Sequence, residues 1–157
     1  MQRTLVIVKP DGVNRGLIGD ITGIFERKGL KIVAMKMEKL KQSQLEKHYS
    51  QHSSKPFFKQ LVGFMSSIPS VLLVLEGKEA VKVVRKMVGA TNGREAEPNT
   101  IRGLYSMSTQ SNLIHASESK EMADKEITLF FSDKELHEYQ KMDCFWIYSP
   151  EELNEKK

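Results

Sequence analysis

The sequence has a single cysteine, no long apolar run and none of the common phosphate-binding motifs. Because Cys144 is its only cysteine, neither an intramolecular disulfide nor a zinc site of four thiolates can form. The longest apolar run, residues 71–75, is far shorter than the roughly 20 residues of a membrane-spanning helix. Lys9, Pro10 and Asp11 interrupt the apolar residues that a secretory signal would need. We therefore expect a cytoplasmic protein with no membrane contact.

The missing motifs exclude several enzyme classes. The sequence has neither the G-x-x-x-x-G-K-[ST] loop of P-loop NTPases nor the G-x-G-x-x-G turn of dinucleotide-binding folds. It lacks the H-R-D and D-F-G motifs of protein kinases, and it shows no clustered set of histidine and cysteine metal ligands. Any binding of phosphate must therefore depend on scattered side chains.

The composition is that of an ordinary globular protein. The 157 residues are 39 % hydrophobic and 28 % charged, and we expect one domain over residues 1–157. Residues 1–60 contain 12 Lys and Arg against 5 Asp and Glu, whereas residues 61–157 contain 12 against 15. A basic half attracts phosphate-bearing partners, but an ordinary lysine-rich surface has the same composition. Charge alone therefore does not identify a partner.

Apolar periodicity predicts four strands and several helices. The strands are predicted at residues 4–8, 31–38, 71–75 and 112–115, and the helices at about 17–28, 42–52, 56–65, 80–88 and 119–130. Residues 90–111 have few apolar side chains and predict a long loop, which in a compact domain is usually functional. With the helical hairpin at 42–66 set aside as an insertion, the order is β-α-β-β-α-β. This order predicts an α/β (α+β) fold of the ferredoxin-like split βαβ type, with a four-stranded antiparallel sheet and helices on one face.

One histidine has the setting of a nucleophile. His115 ends the last predicted strand, and the small residues Ala116 and Ser117 after it leave room for a substrate. A neutral imidazole has a nitrogen lone pair that can attack phosphorus. The next helix can bring Glu126 back towards the ring, where a carboxylate would orient it. A hydrogen-bonded core histidine is the competing interpretation.

Three cations could meet near this histidine. Lys9 ends the first strand, Arg85 lies on the helix after the third strand, and Arg102 lies in the long loop that also holds Thr91. They converge if that loop folds over the edge of the sheet. Each of them alone is more often an ordinary surface cation.

Several short stretches resemble the nucleoside diphosphate kinase family. Residues 112–119, Asn-Leu-Ile-His-Ala-Ser-Glu-Ser, are similar to the family's active-site signature Asn-x-x-His-(Gly/Ala)-Ser-Asp-Ser. Further family-like stretches follow in family order at residues 8–13, 48–52, 55–58, 89–92 and 100–103. Together they cover about residues 3–148. The combination is specific, and it favours the nucleophile over the structural interpretation of His115.

The resemblance implies that the γ-phosphate of a nucleoside triphosphate passes to a nucleoside diphosphate by a ping-pong route. His115 would be the catalytic residue, phosphorylated on Nδ1, and Ser117 and Glu126 would support it. The implied substrate contacts are Lys9, Tyr49, Phe57, Arg85, Thr91, Arg102 and Asn112. Phe57 would stack on the base, and because stacking accepts any base, base specificity would be broad. Mg²⁺ would be carried by the nucleotide phosphates, with few or no protein ligands.

The chain departs from the family pattern at a few positions. Glu118 stands where Asp is usual, Gly93 where Pro is frequent, Asn99 where Gly is frequent and Leu104 where Asp is common. The loop that contains the last three helps subunits to pack in the family, whose dimers associate into tetramers or hexamers. The resemblance implies a homo-oligomer, with a hexamer favoured over a tetramer.

Two rival functions remain at this point. A ferredoxin-like sheet with a basic surface can bind RNA, but the strands at 4–8 and 71–75 have no aromatic residues and the RNP1 pattern is absent. Nucleic-acid binding is therefore expected to be weak at most. A catalytically inactive scaffold related to the kinases is disfavoured, because each implied nucleotide contact is present.

Overall fold

The computed structural model describes residues 1–154 and contains one four-stranded antiparallel sheet. Its strands are β1 (Gln2–Val8), β2 (Lys31–Glu38), β3 (Ser70–Gly77) and β4 (Ile114–Ala116). Their order across the sheet is β2-β3-β1-β4, and every neighbouring pair is antiparallel. This is the arrangement of a split βαβ fold, so the predicted fold class is confirmed.

The helices alternate with the strands largely as the apolar periodicity predicts. They are α1 (Pro10–Asn14), α2 (Ile18–Arg27), α3 (Gln42–His48), α4 (Phe58–Met65), α5 (Ala80–Val88), α6 (Ile101–Tyr105), α7 (Lys120–Phe130), α8 (Cys144–Ile147) and α9 (Pro150–Asn154). Short 3₁₀ turns lie at Ser50–His52 and Asp133–Glu135. Within residues 1–154 no helix has the length and apolar character needed to cross a bilayer.

Two short helices contradict the sequence prediction. A turn is predicted where α1 forms, because Pro10 and Gly12 are turn residues, but Pro10 also suits the first position of a helix. A loop is predicted over residues 90–111, yet α6 lies inside it. The helix begins at the cap formed by Thr100, whose side chain accepts a hydrogen bond from the Gly103 backbone.

The fourth strand is shorter than predicted and is displaced by two residues at its start. The apolar pattern predicts a strand over residues 112–115, whereas β4 begins at Ile114. Leu113 has a φ of 70°, a left-handed conformation that a strand cannot contain. Its backbone N–H donates to Asp11 Oδ2 at 2.9 Å, and its carbonyl accepts from the Lys9 backbone at 2.8 Å. The chain therefore turns sharply just before His115.

Helices cover both faces of the sheet, so the prediction that they pack on one face is wrong. Val6 and Val8 of β1 lie in a core with α2 and α5, whereas Leu5 and Ile7 lie in a second core with α3, α4 and α7. The reason is the composition of β1 and β3. Their central residues are apolar on both faces, and a sheet of this kind needs cover on both sides.

The segment after α7 runs back along the edge strand β2. The His137 backbone N–H donates to the Val33 carbonyl and the Tyr139 hydroxyl to the Ile32 carbonyl, each at 2.8 Å. Further on, the Tyr148 hydroxyl accepts from the Lys78 backbone at 3.2 Å. Trp146, in α8 between the Tyr139 and Tyr148 contacts, is 92 % exposed.

Candidate functional site

A cleft of about 440 Å³ opens beside the end of β4, between the hairpin α3–α4 and the loop that contains α6. It contains His115 and every residue predicted to contact substrate, which are Lys9, Tyr49, Phe57, Arg85, Thr91, Arg102 and Asn112. The predicted supporting residues Ser117 and Glu126 lie behind His115. Lys9, Arg85 and Arg102, which the sequence places on separate segments, thus converge in one cleft.

His115 is oriented from behind by a carboxylate. Its Nε2 lies 3.1 Å from Glu126 Oε1, and the Ser117 hydroxyl donates to Glu126 Oε2 at 2.5 Å. Ser117 is itself held at the β1 backbone, where its oxygen accepts from the Leu5 N–H at 3.2 Å. With Nε2 donating to the carboxylate, the ring's lone pair is on Nδ1, the tautomer that hydrogen bonding to the neighbour selects.

Glu126 reaches this position because α7 returns across the sheet. The helix is capped by Ser119, whose hydroxyl accepts from the Met122 backbone at 3.1 Å. Burial would by itself raise the pKa of the Glu126 carboxyl, but hydrogen bonds from His115 and Ser117 lower that pKa below its usual value. The group behind His115 is therefore an ionised carboxylate at neutral pH.

Asn112 and Lys9 connect the loop to the end of β1. Lys9 Nζ donates to Asn112 Oδ1 at 2.6 Å, and Asn112 Nδ2 donates to the carbonyls of Thr91 and Thr109 at 3.0 and 2.8 Å. The left-handed turn at Leu113 lets Asn112 point into this network. Burial, followed by the charge of Arg102, lowers the pKa of Lys9 to about 8.

Arg102 holds three chain segments together. Its Nε donates to the carbonyl of Asn112 at 3.3 Å, and its terminal nitrogens donate to those of Gly89 and Ile114 at 3.0 and 2.7 Å. Burial and the charge of Arg85 lower the pKa of Arg102. Because the pKa of a guanidinium is ordinarily above about 12, Arg102 still carries its positive charge at neutral pH. A guanidinium has five N–H donors, so two remain for a ligand. Arg102 is both a structural link and a cation in the cleft.

The hairpin α3–α4 forms the apolar wall of the cleft. Phe57, at the start of α4, is 39 % exposed and lies 5.9 Å from the His52 ring, centroid to centroid. Leu61 and Phe64 continue this wall along α4. Tyr49 is buried between the wall and His115, and burial raises the pKa of its hydroxyl. One side of the cleft is therefore apolar and aromatic, and the other is cationic.

His48 is a residue of the site that sequence reasoning did not select. Its ring centroid lies 4.6 Å from that of His115 and 4.3 Å from that of Tyr49, in edge-to-face contact with both. Burial and the neighbouring His115 lower the pKa of His48 to about 3, so the ring is neutral. The available signal was its place beside Tyr49 in the family-like stretch at residues 48–52.

The charges around the cleft indicate which ligand it accepts. Lys9, Arg85 and Arg102 supply positive charge, and Glu118 is the one carboxylate among the described residues that line the cleft. A phosphate chain fits such a site, whereas a protein-bound Mg²⁺ needs several oxygen ligands. Separately, donor atoms of His48, His115 and Glu126 lie within 4.8 Å of one another behind the cleft. The sequence shows no such cluster because the three residues come from α3, β4 and α7.

Comparison with known proteins identifies relatives that match nearly the whole of this chain. Residues 2–136 match the family model described as nucleoside diphosphate kinase. The chain is 54 % identical over 148 residues to the nucleoside diphosphate kinase of Archaeoglobus fulgidus, covering 94 % of this chain and 98 % of that one. It is 53 % identical over 150 residues to that of Pyrococcus horikoshii, covering 94 % and 95 %.

Solved structures show the same similarity. A halophilic nucleoside diphosphate kinase from Halobacterium salinarum, solved in complex with CDP, has a TM-score of 0.92 and 45 % identity, covering 94 % of this chain and 98 % of that one. A nucleoside diphosphate kinase family protein from Babesia bovis has the same TM-score with 43 % identity, covering 94 % and 100 %.

Proposed function

The chain belongs to the nucleoside diphosphate kinase family, and we propose that His115 is the residue that carries the phosphoryl group in its reaction. The chain transfers the γ-phosphate of a nucleoside triphosphate to a nucleoside diphosphate by a ping-pong route through a phosphohistidine. The observation that carries the proposal is the 3.1 Å contact between His115 Nε2 and Glu126 Oε1. Because Nε2 donates its proton to Glu126, the contact supports a ring whose Nδ1 carries the lone pair that attacks phosphorus.

In the first half-reaction, Nδ1 attacks the γ-phosphorus in line with the bond to the β-phosphate oxygen. The N–P bond forms as that P–O bond breaks, and the nucleoside diphosphate leaves with the electron pair. Positive charge develops on the imidazole, and the Glu126 carboxylate stabilises it through Nε2–H. The second half-reaction is the reverse transfer to a different diphosphate.

The cations stabilise the phosphates before and during transfer. Arg85 and the two remaining N–H groups of Arg102 clamp the phosphate chain, and the Thr91 hydroxyl adds a donor at the rim. Lys9 and Tyr49, which line the same cleft as His115, would lie near the transferring group. Lys9 and Asn112, already joined at 2.6 Å, also reach the sugar hydroxyls. This arrangement suits phosphoryl transfer, which depends on positioning and charge stabilisation.

The apolar wall binds the base without reading its edge. Phe57 is exposed at the mouth of the cleft, with Leu61 and Phe64 behind it. An aromatic face stacks on purines and pyrimidines alike, which supports broad base specificity.

Mg²⁺ enters as part of the substrate in this proposal. The scarcity of carboxylates around the cleft fits an ion that is held by the nucleotide phosphates and its own waters. Bound there, it would neutralise phosphate charge. Glu118, the one carboxylate among the described cleft residues, would be the carboxylate to accept hydrogen bonds from those waters.

The proposal extends to the state of the whole chain. We place it in the cytoplasm, where nucleoside phosphates are used, as a single domain over residues 1–157 that forms a homo-oligomer, with a hexamer favoured over a tetramer. Large exposed apolar side chains support association, among them Met35 and Met37 on the edge strand β2. Nucleic-acid binding is weak at most.

The test is a two-step labelling experiment. The protein is incubated with γ-labelled ATP and Mg²⁺, and we expect acid-labile, base-stable label on His115, which a second nucleoside diphosphate removes. His115→Ala should take up no label. His137→Ala is the matched control, because His137 lies on the segment along β2, away from the cleft, and should label normally. Label that persists in His115→Ala would refute the assignment.

A further inference from the structure

Three metal-binding side chains meet behind the cleft, where α3, β4 and α7 come together. Glu126 Oε1 lies 3.1 Å from His115 Nε2 and 3.5 Å from His48 Nδ1. One ligand atom of each residue lies within 4.8 Å of those of the other two. Two imidazoles and one carboxylate are a donor set of zinc sites that keep a fourth position open.

The nitrogen atoms of His48 have no hydrogen-bond partner among the described residues, although its side chain is only 1 % exposed. Buried polar atoms are nearly always paired, because an unpaired one loses its hydrogen bonds to water without replacement. The rings of Tyr49, His115 and Phe130 pack edge-on against the His48 ring. The structure thus holds a neutral, unused imidazole nitrogen 3.5 Å from a carboxylate oxygen.

We propose that His48, His115 and Glu126 form a binding site for a divalent transition-metal ion, for which Zn²⁺ is the best match. Ligand atoms about 2.0–2.1 Å from a tetrahedral zinc ion lie about 3.3 Å from each other. The two distances to Glu126 Oε1, 3.1 and 3.5 Å, lie on either side of that value. Ser117 holds the other carboxylate oxygen and leaves Oε1 for the ion.

This site differs from the one that serves Mg²⁺. Magnesium prefers six oxygen ligands in an octahedron and keeps its waters, whereas two of the three donors here are imidazole nitrogens. The fourth position of the tetrahedron opens only past His115, since His48 and Glu126 are almost fully buried and His115 is 17 % exposed. The ion therefore enters through the cleft.

A bound ion would switch off the nucleophile, a consequence that rests on the proposed function of His115. The metal takes the lone pair of Nε2, so the proton that Nε2 carried moves to Nδ1 to keep the ring neutral. Nδ1 then has no lone pair with which to attack phosphorus. Metal bound at Nε2 therefore blocks phosphorylation of the free ring.

The binding test uses the full chain and metal ions alone. We expect one equivalent of Zn²⁺ to bind, measured by calorimetry, and Co²⁺ in the same site to give the intense visible absorption of tetrahedral cobalt. His115→Gln, Glu126→Gln and His48→Phe should each weaken binding by about tenfold or more, since each removes one ligand. His48→Phe keeps an aromatic ring against Tyr49 and Phe130.

Two other histidines provide matched controls. His52→Gln changes a neighbouring histidine in the same hairpin, and His137→Gln changes one far from the cleft. Both should bind Zn²⁺ like the parent chain. The proposal would be overturned if all variants bound Zn²⁺ equally or if either control lost its binding. The weak visible absorption of octahedral Co²⁺ would overturn it as well. Circular dichroism identifies any variant that fails to fold, and the partly exposed His115→Gln keeps the test decisive if His48→Phe does not.

A second measurement tests the consequence separately. Enzyme loaded with one equivalent of Zn²⁺ is mixed with γ-labelled ATP and excess Mg²⁺, and we expect initial labelling to fall at least tenfold and to recover with a chelator. In His48→Phe, the initial labelling rate should be nearly the same with and without Zn²⁺. This comparison holds even if the substitution changes the labelling rate itself. An unchanged labelling rate at saturating Zn²⁺ would refute the inhibition. Failure to label even without zinc would refute the role of His115 and leave the binding result intact.

Discussion

Lys9 combines a buried position with a positive charge that the reaction needs. Its pKa is lowered to about 8 by burial and by Arg102, against about 10.4 for a free lysine. The free enzyme therefore loses this cation as the pH rises through about 8, and its attraction for phosphate weakens. We expect kcat/KM of the parent chain to fall above pH 8. Lys9→Arg, which stays charged, should lack this step.

The comparison of pH profiles distinguishes Lys9 from other titrating groups. Bound phosphates favour the charged lysine, so the corresponding fall in kcat should lie at a higher pH than the fall in kcat/KM. Steady-state rates from pH 7 to 10 measure both profiles. An identical fall in kcat/KM for Lys9→Arg would show that another group is responsible.

Glu126 selects the proton position on His115. In Glu126→Gln the Ser117 hydroxyl still donates to the amide oxygen, which turns the amide NH₂ towards His115 Nε2. An NH₂ group can only donate there, so the ring proton would move to Nδ1 and block the lone pair. A hydrogen bond to a charged group is worth about 1.5–3 kcal/mol, so we expect kcat to fall about ten- to hundredfold.

Rapid-quench labelling measures this effect in the first half-reaction alone. Ser117→Ala is the control, because it removes the bond to Oε2 and leaves the carboxylate that faces His115. It should cost less than Glu126→Gln. A larger loss in Ser117→Ala would contradict a role of Glu126 in selecting the tautomer.

At the residue scale, the sequence predicts which side chains line the cleft, but it does not predict the contacts that those side chains make. His115 and its seven implied substrate contacts line one cleft because they come from short stretches with a characteristic pattern. His48 was missed because its importance comes from contacts with His115 and Glu126, which are 67 and 78 positions away and show no spacing rule. Arg102 both links three chain segments and supplies charge to the cleft, and the first of these roles depends on carbonyl positions that only the folded backbone defines.

At the scale of elements, Gly89 ends α5 and controls the loop that carries Arg102. Its φ of 85° and ψ of −179° belong to a region that other residues rarely adopt. A Cβ there would also lie 2.7 Å from that of Thr100, the cap of α6. The Gly89 carbonyl accepts from Arg102 at 3.0 Å, so any movement disturbs the cleft as well.

Gly89→Ala should therefore lower the free energy of unfolding by about 1–3 kcal/mol and raise KM for nucleotides. Gly63→Ala is the matched control, because Gly63 lies within α4 and an added Cβ would meet nothing within 4 Å beyond its chain neighbours and the backbone of its own helix. Alanine favours helix, so that variant should gain up to about 1 kcal/mol. Urea denaturation measures the free energy of unfolding of both variants. A Gly89→Ala variant as stable as the parent chain would show that the backbone at Gly89 does not exclude a side chain.

Long elements were predicted well because their apolar spacing repeats over several turns or pairs. β2 matches its predicted bounds, and α5 begins and ends at residues 80 and 88, as its periodicity predicts. α1, α6 and β4 have five residues or fewer, too few for a period to show. Their positions depend on a proline, a threonine cap and a left-handed leucine, each a local conformational choice.

At the scale of the whole molecule, the sheet separates two apolar cores. The sequence has continuous apolar runs in β1 and β3, and a strand that is apolar on both faces needs packing elements on both sides of the sheet. The one-face prediction followed the general pattern of the fold class and overlooked those runs. Because the hairpin α3–α4 and α7 cover the second face, they also bring Tyr49, His48 and Glu126 around His115.

The last segment of the chain leaves its aromatic residues uncovered. Trp146 is 92 % exposed, and Phe145 and Met142 beside it are also exposed. Substituting such residues should change the stability of an isolated subunit little. If they pack against a neighbouring subunit in the proposed oligomer, Trp146→Ser removes a large apolar contact. Central tryptophans of interfaces commonly contribute 2 kcal/mol or more, which is about thirtyfold in a dissociation constant.

We therefore expect Trp146→Ser to dissociate into smaller species at about thirtyfold higher protein concentration than the parent chain. Sedimentation velocity over a dilution series measures this shift and also separates a hexamer from a tetramer. Trp146→Phe, which keeps most of the apolar surface, should sediment nearly like the parent. An unchanged assembly in Trp146→Ser would place this aromatic segment outside the subunit contacts.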